Sequence, residues 1–304
     1  MSDVDVDAAE PAWNPASPSP IVSGSPVEVA DGVFVVPDRR VPLVPNIGVI
    51  VGDRAALVVD SGLGPHSGAN AYRIARELAG DRQLYLTLTH FHPEHGFGAQ
   101  AFRDATILYN RAQHEEFRKK AQGYLDQFRG YGPVVSEQLD GVEFVDPQIV
   151  YDNGADLDLG GKLVQLRSWG AAHSRGDQVA FLPIERVLFT GDLVENRFYP
   201  IFPFFPPYDV DVDGRNWITV IEELQRLDPK VIVPGHGEVG DSGLLATTYE
   251  YLVLLSSETK RLAGEGRSAE EIIATLGPQL HTRYPDWDTE PWRIATGVQT
   301  FLAQ

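Results

Sequence analysis

The sequence predicts an α/β fold in which two β-sheets face each other with helices outside, and three features of its pattern carry that expectation. Short apolar runs of strand length alternate with helix-spaced segments in the first part of the 304-residue chain. Between Val142 and Thr190 short apolar runs are separated by turn sequences such as Asp152-Asn153-Gly154 and Leu159-Gly160-Gly161, which signals antiparallel strands. Beyond Gly240 the spacing becomes helical. Two sheets that bury one face against each other and the other against helices make an αββα sandwich.

The elements follow in chain order. Met1 to Pro20 holds four acids, four prolines and little apolar content beyond Trp13, so it reads as a disordered tail, taken here as residues 1–26. Val27 to Val36 and Ile47 to Val51 open the first sheet, and Ala55 to Val59 continues it. Ser67 to Leu78 has helical spacing, Leu84 to Thr89 is a buried β-favouring run, a helix is expected from about Ala99, and another from Arg111 to about Phe128. Val179 to Leu182, Val187 to Thr190 and Val231 to Val233 read as strands. Residues 27–240 thus form the main domain. Residues 241–304 form a helical extension packed on it, with helices at Leu244 to Leu262, Ala269 to Leu276 capped by Ser268, and Pro291 to Leu302. As a lid, a dimer surface or a packing layer, the extension has three open roles.

The chemistry is concentrated at the end of the Leu84–Thr89 strand, in Thr89-His90-Phe91-His92-Pro93-Glu94-His95. Three imidazoles and a carboxylate in six positions cost desolvation and bring like charge if protonated, which metal ligation would offset. His90 and His92, two apart in extended backbone, point the same way and can share a cation. Pro93 turns the chain, so Glu94 and His95 can face a second one. Zinc wants four ligands and a catalytic zinc keeps one position for water, so further ligands are required. Three later segments supply polar residues where apolar strands begin or end: His173 in a glycine-containing loop, Asp192 after Gly191, and His236 between Gly235 and Gly237.

In order and context these segments resemble the metallo-β-lactamase superfamily, whose signature is His-x-His-x-Asp-His, then a lone His, a Gly-Asp pair and a Pro-Gly-His. The resemblance covers roughly Val27 to Gly240. It implies the αββα fold, with His90, His92 and His173 at a first metal, Glu94, His95 and His236 at a second, and Asp192 bridging them. Asp60, in Asp60-Ser61-Gly62, would support the ligands through hydrogen bonds. One position departs from the pattern. Glu94 stands where the family has Asp, and its extra methylene carries the carboxylate about 1.5 Å further. Glu94 then binds the second metal, displaces it to leave a single-metal site, or acts as a base; the intact spacing elsewhere favours two metals with Glu94 as a ligand.

Composition narrows the function. The chain has no Cys, which removes disulfides, iron–sulfur clusters and the Cys-ligated β-lactamase subclasses. It leaves Asp192 in the arrangement of glyoxalase II and lactonases. A net charge of -18 disfavours nucleic acid as a partner. No apolar run approaches the roughly 18 residues of a membrane span, so no membrane partner is expected. The first basic residue is Arg39, which leaves no basic signal-peptide start and leads to an expectation of cytoplasmic residence.

The pocket is read from Arg197 to Tyr208, with six aromatics and four prolines in twelve residues. Phe198, Tyr199 and Phe202 would form one wall of an apolar pocket, or else pack over the sheet. Arg175 would orient a substrate carboxylate or lie on the surface. Trp169 reads as core. His66 reads as a surface turn, His114 as a helix-surface residue and His281 as an ordinary linker residue.

The expected activity is hydrolysis of a small-molecule ester, lactone, thioester or amide by hydroxide generated on two zinc ions, with iron or manganese as alternatives and Asp192 and Glu94 as catalytic carboxylates. A mononuclear iron enzyme resembling persulfide dioxygenases is the rival, and a non-catalytic metal-binding protein the third reading. A homodimer is an expected form.

Overall fold

The computed structural model describes residues 17–203, 207–288 and 291–304. Most of the expected tail, residues 1–16, and Phe204-Phe205-Pro206 of the aromatic loop lie outside the described residues. The chain begins with β1 (Val27–Ala30), β2 (Val33–Val36), β3 (Ile47–Val51), β4 (Ala55–Val59), α1 (Gly64–Ala79), β5 (Gln83–Thr87) and the single-turn α2 (Pro93–Gly96). There follow β6 (Thr106–Asn110), α3 (Arg111–Arg129), α4 (Pro133–Gln138), β7 (Ile149–Tyr151), β8 (Gly154–Asp158), β9 (Leu163–Arg167), β10 (Val179–Leu182) and β11 (Val187–Gly191). The last are α5 (Gly214–Arg226), β12 (Val231–Pro234), α6 (Gly243–Gly264), α7 (Ala269–Arg283) and α8 (Pro291–Ala303).

The first sheet runs β1-β2-β3-β4-β5-β6-β7, antiparallel up to β4 and parallel from β4 to β7. The second runs β12-β11-β10-β9-β8, parallel only between β11 and β12. Alternation along the strands sorts side chains into layers. In β4, Ala56 and Val58 point to a core shared with Ile74 and Ala75 of α1, while Leu57 and Val59 point to a core shared with Leu166, Leu182 and Phe189 of the second sheet. Leu188 of β11 faces the opposite way, onto Trp217 and Ile221 of α5. The result is the αββα sandwich.

Several expectations need correction. Ile149–Tyr151 joins the first sheet beside β6 rather than the second, because its pairing partners are Leu108 to Asn110. Short apolar runs between turns do not say which sheet will accept them. No long helix starts at Ala99; α2 begins earlier, at Pro93, whose fixed φ suits a first helical position. Ala99–Phe102 is only a 3-10 turn. The tail ends before Val27: Val22 is 1% exposed and its amide donates to Ser67 Oγ at 3.1 Å. Helix α7 runs to Arg283, past the expected end at Leu276 and through Pro278, with Leu280 as well as Leu276 buried in the second core. His281 therefore lies in a helix, not a linker.

Helices α6, α7 and α8 share one core with α5 and with Tyr199 and Phe202 of the aromatic loop. Among the described residues no helix is long and apolar enough to cross a membrane.

Candidate metal centre

All seven expected ligands converge where β5, β10, β11 and β12 meet their loops. Nε2 of His90 lies 3.0 Å from Nδ1 of His92, and Nε2 of His173 lies 3.1 Å from the same atom. A second group consists of Glu94, His95, Asp192 and His236; within each group the potential ligand atoms lie within 4.8 Å of one another. Asp192 stands between the groups. Its Oδ2 is 3.9, 3.7 and 3.7 Å from Nε2 of His90, His173 and His236, and its Oδ1 is 3.4 Å from Nε2 of His95.

Local structure explains the convergence. Thr87 ends β5, and α2 then rotates Glu94 and His95 away from His90 and His92. Helix α3 ties two ligand loops together at its first turn. Asn110 and Gln113 form a reciprocal capping box, which leaves Asn110 Nδ2 to donate to Gly176 O at 2.9 Å and Gln113 Nε2 to donate to Leu88 O at 2.9 Å. Asp177 holds the His173 turn by accepting from the amides of Ala172 and Ser174. Asn46 donates to the carbonyls of Pro234 and Gly237, fixing the His236 loop. Gly235 must lack a Cβ, which would collide with Asp192 Oδ1.

The outer nitrogens are oriented so that lone pairs face inward. The Nδ1–H groups of His173 and His236 donate to the carbonyls of Ile201 (2.9 Å) and Val44 (3.1 Å). Nδ1 of His95 lies 2.9 Å from Asp60 Oδ2, and Asp60 also accepts from the Thr89 amide at 2.7 Å. This gives Asp60 a supporting position. His92 has the reverse arrangement: Nδ1 faces the cluster and Nε2 lies 3.5 Å from Asp209.

The donor set fits a cation. Glu94 Oε2, His95 Nε2 and Asp192 Oδ1 are buried without a hydrogen-bond partner, a costly arrangement unless positive charge compensates it. Without a cation, protons do part of that work. Burial pulls His92 down, but Asp209 raises it to about 9; burial likewise opposes His95, yet Asp192 and Asp60 hold it well above its ordinary value. Burial keeps His173 down at about 3, and burial with the neighbouring imidazoles of His95 and His92 keeps His90 well below its usual value. Burial favours the neutral form of Asp192, but His236 and His95 hold it well below the carboxylate range. Five imidazoles and two carboxylates around two points form an N/O set suited to zinc and to other divalent ions.

A family model described as the metallo-beta-lactamase superfamily matches residues 40–236, more than half of the chain. The chain belongs to the metallo-β-lactamase superfamily. Among solved structures it is similar to a metallo-beta-lactamase from Pontibacter korlensis, with a TM-score of 0.58 and 17% identity over 75% of this chain and 98% of that one. It is also similar to the DIM-1 metallo-beta-lactamase, again with a TM-score of 0.58 and 17% identity, over 76% of this chain and 98% of that one. These likenesses show a shared metallo-β-lactamase fold.

Beside the two clusters this superfamily member has a cavity of about 620 Å³. Phe198 lines it, but Tyr199 and Phe202 do not. Tyr199 is buried with its hydroxyl 3.0 Å from His281 Nδ1, and Phe202 packs on Trp217 and Phe301 behind the wall. Arg175 is likewise away from the cavity, held by Glu115 at 2.8 Å with its side chain 44% exposed. Trp169 is half-buried against the second core, His66 is an exposed residue of α1, and His114 reaches Asp146 rather than the site. Sequence reasoning missed Asp209, which reads as one acid in an alternating Asp-Val series, and Trp287, Trp292 and Arg293 of the extension. None of the four sits in a motif that signals a site.

Proposed function

We propose that this protein is a metal-dependent hydrolase holding two divalent cations, zinc by preference, and cleaving an ester, lactone, thioester or amide of a small molecule. The observation that carries the reading is Asp192 standing between two ligand clusters, with its own Oδ1 and the ligand atoms of Glu94 and His95 buried and uncompensated. When bound, the cations supply a water whose pKa falls from near 16 towards roughly 7 and a Lewis acid for a carbonyl oxygen.

The chain's own residues set the rest. His90, His92 and His173 would hold the first cation, and Glu94, His95 and His236 the second. Asp192, acceptor-only when ionised, occupies the position between the clusters, from which its oxygens orient a water for attack. Asp60 and the carbonyls of Ile201 and Val44 keep ligand lone pairs aimed inward, so little reorganisation is needed when substrate arrives. Esters, lactones and thioesters suit the site best, because their leaving groups need little protonation.

Elemental analysis of protein purified without chelators tests the reading. Two zincs per chain, with turnover of a reporter ester or lactone abolished in His92→Ala, are expected; one iron per chain with oxygen uptake on thiols would replace hydrolysis by an oxygenase. Glu94→Ala should lower the metal content from two to one with the fold intact, and unchanged stoichiometry would remove Glu94 from the ligand set.

A further inference from the structure

The wall of the cavity beside the ligand clusters combines aromatic surface with guanidiniums that are already engaged and with carboxylates. Phe198 comes from the loop after Asp192, Phe128 and Tyr131 from the end of α3 and the turn after it, and Trp287 and Trp292 from the C-terminal extension. The two tryptophans lie beyond residue 236, where the family match ends.

Two guanidiniums also line the cavity, and each is held by a carboxylate. Arg40 makes a two-pronged pair with Glu238, at 2.8 Å from both Nε and a terminal nitrogen. Arg293 is buried and donates to Glu195 Oε1 at 3.2 Å and to the Tyr199 carbonyl at 3.1 Å. Both guanidiniums stack on the Phe198 ring, 4.7 and 5.0 Å from its centroid, which fixes the ring in place. Among the described residues, the remaining charged side chains of the wall outside the ligand set are acids: Asp38, which accepts from the amides of Gly237 and Arg40, and Asp209, Asp286 and Asp288.

We propose that the substrate group carried by this cavity is uncharged, bulky and apolar, an aryl or branched alkyl acyl group that lies on Phe198, Trp287 and Trp292 while its carbonyl faces the ligand clusters. This deepens the hydrolytic reading and rests on it. The cavity volume falls within the roughly 300–1,000 Å³ of small-molecule sites, and the aromatic faces of its wall favour burial of apolar surface. A substrate with a negative charge at that end would meet acids and no unengaged guanidinium, and would lose hydration without gaining a partner.

The test titrates the metal-loaded protein with two primary amides, para-tert-butylbenzamide and para-carbamoylbenzenesulfonate, with chromatography of each mixture to establish that the amide is intact when its binding is read. They share an amide head and differ in the charge of a tetrahedral group at the far end; a sulfonate is a weak metal ligand. Tryptophan emission reads occupancy. The neutral amide is expected to bind about tenfold or more tightly than the sulfonate, and about tenfold less tightly in Trp292→Ala and in Phe198→Ala, as loss of one ring contact implies. Both side chains are partly exposed, so the variants should keep the parent's metal content and melting temperature. Equal or tighter binding of the sulfonate, or unchanged affinity in both variants, would overturn the proposal. Phenyl acetate, too small to need the wall, separates the two ideas: its His92-dependent turnover would leave the hydrolase reading standing in that case, whereas its absence beside selective amide binding would remove hydrolysis and leave the pocket.

Discussion

Asp209 Oδ1 lies 3.5 Å from Nε2 of His92, so the imidazole that offers Nδ1 to the first cluster has a carboxylate on its other nitrogen. The Tyr124 hydroxyl donates to the same carboxylate oxygen, and Asp209 is only 8% exposed. Burial would push such a carboxyl up, yet the charge of His92 holds it low. Asp209 is therefore a positioning residue for His92.

Asp209→Asn should keep the shape of this contact while removing its charge. The expected result is a metal affinity lower by about 10- to 100-fold, the usual effect of losing an outer-shell partner. Competition against a chromophoric chelator measures it, with circular dichroism to establish that the fold is kept. Wild-type affinity would show that Asp209 serves the cavity wall alone.

Gly235→Ala tests how Asp192 is placed. The added Cβ would collide with Asp192 Oδ1 and lie 2.8 Å from the carbonyl carbon of Gly191, so both side chain and backbone would have to move. Overpacking of this kind costs about 1–3 kcal/mol. The variant should melt lower and carry less metal in both clusters, since Asp192 adjoins both. Full metal content at an unchanged melting temperature would mean that the loop relaxes freely and that Asp192 is not tightly specified.

Much of this site was legible because its residue types have few other reasons to occur together. Three histidines and an acid at a strand end, followed by His173, Asp192 and His236 each next to a glycine or a tight turn, have a chemical explanation that hydrophobic patterning lacks. The fold was legible for a related reason: β4 and β11 are buried on both faces, so their apolar runs are continuous and unambiguous. The rest depends on contacts between distant segments. Nothing around Asp209 distinguishes it from Asp211 or Asp213, because its role comes from lying beside a histidine more than a hundred residues away. Trp287 and Trp292 likewise join the cavity only because α8 packs on α5 and the aromatic loop. Arg175 shows the converse: proximity in sequence to His173 carried no information about which way its side chain leaves the turn.

The pH dependence of metal binding follows from the protons that the cation must displace. In the metal-free protein Asp209 raises His92 to about 9 against the effect of burial, while a ligating imidazole must be neutral. Affinity should therefore rise with pH up to about 9. For stability the sign is opposite in the metal-free protein. A group raised from 6.5 to about 9 stabilises the fold fully below 6.5 and loses that contribution as pH climbs through 9. The gap in melting temperature between metal-loaded and chelator-treated protein should thus widen from pH 6.5 to 9. A gap that narrows over this window would mean that His92 is neutral before the cation arrives.

The C-terminal helices invite the view that they are an added layer, and Phe301 argues against it. Its side chain is 2% exposed, packs on Phe202 at 5.5 Å and lies against Gly214 at the start of α5. Phe202 in turn packs on Trp217, whose indole donates to Leu193 O directly after Asp192. Phe301→Ala should cost about 3–5 kcal/mol, as a buried aromatic truncation does. A chain ending at Gly240 would uncover Phe202, Trp217 and Leu224 together and is expected to aggregate. Thermal melts of the point variant and sedimentation of the truncated chain measure the two effects. A soluble, cooperatively melting 1–240 fragment would mean that the second sheet and α5 complete a core of their own. The packing leads to the other expectation, that the helices closing this core also hold the cavity wall in place, so loosening Phe301 should lower both the melting temperature and the affinity for ligands of that cavity.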